Sequence, residues 1–158
     1  MPLRLWRIVT RADYPIWSGE GARLYGARWN PAGLPAIYAG TSFAVTLLEV
    51  LVHANRGSPP SASRFVEAVV SDDVSRERFD PSLAPGWDDP DDKSVAQAFG
   101  REWIDSGRAA LLIVPSVVVP SVVTVRDENV VVNPDHPDAA RIDVSPEKPI
   151  ALDRRFFA

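Results

Sequence analysis

Cysteine is absent from the 158 residues, so disulfides and thiolate metal sites are ruled out. The two histidines, His53 and His136, are too far apart in sequence to form a zinc site alone. Metal-independent chemistry is the expectation. No run approaches the roughly 18 apolar residues that cross a bilayer. The opening "MPLRLWRIVTRADY" interrupts its apolar residues with Arg4, Arg7 and Arg11, unlike a signal-peptide core. These absences point to a cytoplasmic protein with no membrane partner. An excess of positive charge is also missing: the formal net charge is −4, against nucleic acid as a direct partner, since that binding rests on clustered Lys and Arg neutralising phosphates. The glycines of "GARLYGARWNPAG" lack the spacing of a dinucleotide-binding or P-loop fingerprint, which excludes a Rossmann reading.

What is present suits one packed domain spanning residues 1–158. The chain is 46% hydrophobic and 24% charged, with five Trp, six Phe and three Tyr to fill a core. "LRLWRIV" reads as a first strand. "GARLYGARW" and "PAIYAG" read as two extended pieces joined by the turn residues Asn30, Pro31 and Gly33, which places Arg28 and Tyr38 on facing or adjacent strands. Thr41 or Ser42 caps a helix from about Phe43 to Asn55, stopped by Gly57, Pro59 and Pro60. "RFVEAVV" is a strand, and the acid- and proline-rich stretch after it reads as an irregular solvated loop. A second helix is expected to begin at Asp89 or Asp91 and end at Ser106 and Gly107, with Val95, Phe99 and Trp103 on one face against a sheet. "AALLIVPSVVVP", "SVVTV", "NVVVNP" and "IDVSPEKPIALD" carry strand signal broken by prolines. The sum is an α+β domain, rich in strands, with helices covering the sheets.

One residue conflicts with its surroundings. Glu49 lies in a helix that offers Phe43, Val45, Leu47, Leu48, Val50, Leu51 and Val52, leaving no wide polar stripe. A carboxylate buried there needs an arginine or strong hydrogen-bond donors. Arg28 is the candidate, its guanidinium fork suiting a carboxylate or a phosphate. A structural Arg28–Glu49 pair without any substrate accounts for the same residues. His53 falls four residues after Glu49, where it lines the same cleft or caps the helix end. Ser116 follows Pro115 inside an apolar run; no nucleophile elbow surrounds it, and it is not read as a hydrolase nucleophile. Arg7 in "LWRIV" is a weaker candidate for a phosphate contact.

The order "GARWNPAG", "AIYAGTS", "LLEVLVH", "LLIVPS" and "NVVVNPDHPD" resembles the RES domain family over nearly the whole chain. This family is the toxin half of bacterial two-gene toxin–antitoxin systems. Its name-giving arginine, glutamate and serine fall on Arg28, Glu49 and Ser116, with Tyr38 at the matching tyrosine. The resemblance implies a fold like that of ADP-ribosyltransferases and diphtheria-type toxins, with NAD as substrate and no metal. It also implies cleavage of the nicotinamide–ribose bond by hydrolysis or phosphorolysis, or ADP-ribosylation of a protein, and silencing by an Xre-type helix-turn-helix antitoxin. Glu49 is then the acid that offsets charge on the ribose. Arg28 holds the pyrophosphate or an incoming phosphate, and Tyr38 stacks on a base. Ser116 bonds the nicotinamide amide or the ribose, with Arg7 and His53 as further binding candidates. A non-catalytic partner-binding domain remains the alternative of another class.

Overall fold

The computed structural model describes residues 1–10, 13–54, 62–117 and 127–157; the side chains of residues 53, 54, 156 and 157 are not among those described. In chain order the elements are β1 (Leu3–Val9), α1 (Glu20–Tyr25), β2 (Ile37–Gly40), α2 (Phe43–Ala54), β3 (Arg64–Val70), β4 (Arg76–Arg78), α3 (Ser94–Ser106), β5 (Leu111–Pro115), β6 (Glu128–Val132), β7 (Asp143–Val144) and β8 (Lys148–Pro149). The strands form one mixed sheet in the order β4-β5-β6-β2-β1-β3-β7, with β8 also pairing with β3. Every pairing is antiparallel except β4 with β5, which are joined through α3 as parallel neighbours require.

Strand alternation decides which residues face which core. Leu111, Ile113, Val130 and Val132 enter one buried cluster with Leu5, Ile37 and Val70. Their neighbours Leu112, Val114 and Val131 enter the other, with Trp29, Phe79 and Trp103. Because β5 and β6 are covered on both faces, their sequences run apolar without alternating. Helix α3 covers the second face, bringing fully buried Trp103 onto the sheet. Its Gly100 passes so close to the backbone of Trp29 that an added Cβ would lie 1.6 Å from the Trp29 carbonyl oxygen. This contact locks α3 against the turn that carries Arg28.

Three expectations need correction. "GARLYGARW" is not a strand: Glu20–Tyr25 is helical, and Arg28 lies in a turn closed by an isolated bridge between Ala27 and Asn30. Six residues are too few to print a helical period, and Glu20 and Arg23 pair along that short helix. Second, the acid-rich stretch is not simply solvated. It contains β4 and a 3-10 turn at Pro81–Leu83, and it buries Val74, Phe79 and Ala84. Third, α3 begins at Ser94. Asp89 Oδ1 accepts from the amides of Asp91 and Asp92, and Asp92 Oδ1 from that of Ser94, so the acids fold a turn before the helix starts.

The helix from Phe43, the strand "RFVEAVV" and the strands "LWRIV", "LLIVP" and "NVVV" form as expected. The amide of Val45 donates to Ser42 Oγ, at 3.4 Å, as the helix starts. Not all of the apolar surface of α2 is covered: Leu48 is 43% and Val52 59% exposed. The strand expected at "SVVTV" and the stop signals after Ala54 lie outside the described residues. Among the described residues no helix is long and apolar enough to cross a membrane.

Candidate active site

Glu49 lies on α2, which packs on β1 and β2, and its side chain reaches the end of β5 and the start of β6. There the first polar residue after β5, Ser116, and a polar residue at the start of β6, Asn129, meet it. Ser116 Oγ donates to Glu49 Oε1 at 2.7 Å, and Asn129 Nδ2 donates to the same oxygen at 2.7 Å. The ladder fixes this meeting, because Asn129 pairs with Val114 on one side and Gly40 on the other. Hydrogen bonds to a charged group contribute about 1.5–3 kcal/mol each, so two donors hold the carboxylate firmly. Ser116 is only 4% exposed and lies behind the carboxylate.

Glu49 forms part of the wall of a cleft of about 590 Å3, which Arg7, Arg28, Tyr38, Lys93 and Asn129 also line. Arg28 does not pair with Glu49. Its Nη1 donates to the carbonyls of Trp87 and Asp89, at 3.0 and 2.9 Å, and so fastens the acidic loop to the cleft rim. Arg7 reaches the cleft from β1, giving Nε to the Ile16 carbonyl at 2.6 Å and Nη1 to the Tyr38 carbonyl at 2.7 Å. Burial lowers its guanidinium to about 10, which leaves it a cation at neutral pH. Its Nη2 has no hydrogen-bond acceptor among the described residues.

Tyr38 lines the cleft and packs against the Trp29 cluster, while its hydroxyl is committed to the turn. It donates to Asn30 Oδ1 at 2.6 Å and accepts the Trp29 amide at 3.0 Å. Burial holds the phenol well above the ordinary tyrosine value. Asn30, fully buried, donates in turn to the carbonyls of Ala22, Pro31 and Leu34. Tyr38 and Asn30 therefore set the shape of the turn from which Arg28 projects.

The structure thus brings Arg7, Arg28, Tyr38 and Glu49 to one cleft and places Ser116 behind Glu49. Arg23, another arginine of these segments, pairs with Glu20 and does not line the cleft. His53 falls within α2, but its side chain is outside the described residues. Sequence reasoning missed Asn129, Asn30 and Lys93. An asparagine opening a run of valines was the available signal for Asn129; Asn30 reads as ordinary turn chemistry and Lys93 as a surface cation. No group of residues able to hold a metal ion occurs among those described.

A mixed sheet covered by helices makes this an α+β domain, and comparison with known proteins gives the family. The RES domain model matches residues 4–153, and the chain belongs to that family. A protein named Prs ADP-ribosylating toxin, from a Sphingobium species, is 41% identical over 148 residues, covering 90% of this chain and 89% of that one. Toxin Res of Pseudomonas putida is 36% identical over 157 residues, covering 97% and 99%. The crystal structure of the MbcT–MbcA toxin–antitoxin complex of Mycobacterium tuberculosis matches with a TM-score of 0.76 at 24% identity, over 99% of this chain and 87% of that one. It shows the same fold. A 60-residue stretch is 42% identical to the M. tuberculosis protein named NAD(+) phosphorylase MbcT, covering 37% of this chain and 32% of that one.

Proposed function

We propose that this protein is a toxin enzyme that consumes NAD by breaking the bond between nicotinamide and ribose, with water or phosphate as acceptor. The observation that carries the reading is the carboxylate of Glu49, fixed by Ser116 and Asn129 in the wall of a cleft that also presents two arginines. As that bond breaks, its electron pair leaves with nicotinamide and positive charge builds on the ribose; a carboxylate already held in place stabilises this charge without having to reorganise. Nicotinamide departs neutral, so no strong general acid is needed. The acceptor oxygen then bonds the anomeric carbon, and water loses its proton in doing so.

Arg28 and Arg7 supply cations for the pyrophosphate, and Tyr38 a flat face for a base. Ser116 is assigned to holding Glu49 in position, since its hydroxyl points at that carboxylate. His53 stays a candidate contact on the same helix. The names of the relatives support action on NAD. A second reading, transfer of ADP-ribose to a protein, draws on the name of the 41% identical Sphingobium relative. We further propose that an antitoxin of the Xre helix-turn-helix type covers the cleft in the cytoplasm of the producing cell. The exposed Leu48 and Val52 beside Glu49 on α2 offer apolar surface for it, and the structural match to a toxin from a toxin–antitoxin complex supports it.

Incubating the protein with labelled NAD, with and without phosphate and with a bacterial lysate, tests these readings together. ADP-ribose or ADP-ribose-1″-phosphate supports the first and labelled protein the second. Unchanged NAD under all conditions overturns both.

A further inference from the structure

The segment from Asp13 to Ser18 forms part of the cleft wall through Tyr14, Pro15, Ile16 and Ser18, yet it belongs to no helix or strand. Its position is set by a chain of side-chain bonds that begins near the far end of the sequence. Arg64 of β3 donates Nη1 to Glu147 Oε2 at 2.8 Å and Nη2 to the Tyr14 carbonyl at 2.7 Å. Glu147 Oε1 accepts the Ile16 amide at 3.2 Å. The Ile16 carbonyl, in turn, accepts Arg7 Nε at 2.6 Å. Glu147 is itself anchored, because β8 pairs with β3 immediately after it and the amides of Ser145 and Ile150 donate to the carbonyls of Glu67 and Ser63.

We infer that Glu147 is a positioning residue for Arg7: through Ile16 it fixes the carbonyl that aims the guanidinium along the cleft wall. The carboxylate uses one oxygen on Arg64 and the other on a backbone amide, so it ties the sheet and the loop together at a single point. A half-exposed ion pair of this kind adds little to global stability. Its consequence falls on the geometry of a cleft-wall segment that has no ladder of its own. The functional part of this inference rests on the NAD reading; the structural part does not.

Two measurements on the full chain test it. The first is hydrogen exchange of the Arg7 Nε proton, followed by NMR without NAD. Glu147→Ala is expected to accelerate that exchange about tenfold, and Glu147→Gln, which keeps an acceptor for the Ile16 amide, by less. The second is NAD affinity in a double-mutant cycle. Glu147→Ala is expected to weaken binding about tenfold, and to add nothing in an Arg7→Ala background, because both changes remove the same contact. Unaltered Nε exchange in both Glu147 variants would overturn the positioning role, as would fully additive losses in the cycle. Should the wild-type protein bind no NAD, the NAD reading falls and the exchange measurement alone decides the role of Glu147.

Discussion

Ser116 Oγ and Glu49 Oε1 lie 2.7 Å apart, with the hydroxyl donating, and the buried serine stands behind the carboxylate. Two residues 67 positions apart in the chain thus act as one group, and Asn129 donates to the same oxygen.

If Ser116 and Asn129 act by holding Glu49, Ser116→Ala lowers kcat for NAD consumption about tenfold with little change in KM, the loss of roughly one hydrogen bond to a charge. Adding Asn129→Ala deepens the loss by a factor different from that of Asn129→Ala alone, since both donors reach the same oxygen. Steady-state kinetics of the two single variants and the double variant check this. Full kcat in Ser116→Ala would detach the serine from the chemistry.

Tyr38→Phe and Tyr38→Ala separate the ring from the hydroxyl. Phe keeps the cleft surface but deprives Asn30 and the Trp29 amide of their partner, so it is expected to lower stability by about 1–3 kcal/mol while holding NAD affinity within a few-fold. Ala also removes the stacking face, which is worth about 1–3 kcal/mol in binding. The phenol adds a pH signature. Its folded pKa is raised, so its contribution to stability is whole below the ordinary tyrosine value near 10 and is lost as pH rises toward the folded value, the unfolded chain ionising first. The stability advantage of wild type over Tyr38→Phe should therefore shrink between pH 9 and 11 in thermal melts. A constant advantage across that range would contradict the assignment.

Arg28→Lys replaces a fork by a point charge and cannot hold two carbonyls of the loop while also facing an anion. NAD affinity is expected to fall at least about tenfold, with proteolytic nicking appearing between Pro85 and Asp92 as the loop is released. Unchanged affinity in an intact loop would remove Arg28 from the binding role.

Gly100→Ala is expected to lower stability by about 3 kcal/mol, since the new Cβ would overlap the Trp29 carbonyl and neither backbone can yield easily. Thermal unfolding measures this, and a melt within a degree of wild type would show that α3 can move away from the turn.

The parts of this molecule legible in the sequence were those with a long or uniform pattern. The valine-rich strands announce themselves because packing on both faces writes a continuous apolar run, the helix from Phe43 because its apolar run is long, and the strand at Arg64–Val70 because β-branched and aromatic residues alternate in burial. Glu49 stood out as the one carboxylate in such a helix. Arg28 was found, but its local structure was not: a helix of one and a half turns and a turn organised by the buried Asn30 leave no periodic trace. The partner of Glu49 was also misassigned. A sequence shows which cation is near along the chain, whereas the sheet brings Ser116 and Asn129 from far away. Glu147 was invisible for the same reason, since its importance comes from β8 lying across β3.

The central claim is that the charge of Glu49 drives cleavage of NAD. Glu49→Gln preserves the shape of the side chain and an oxygen to accept from Ser116 and Asn129, and it removes the charge. Turnover of NAD and thermal unfolding, measured on the same preparation, are expected to show activity reduced by a factor of about a thousand or more, in line with the loss of a preorganised electrostatic group, with an unfolding midpoint close to wild type. Wild-type turnover by a well-folded Glu49→Gln protein would contradict the account.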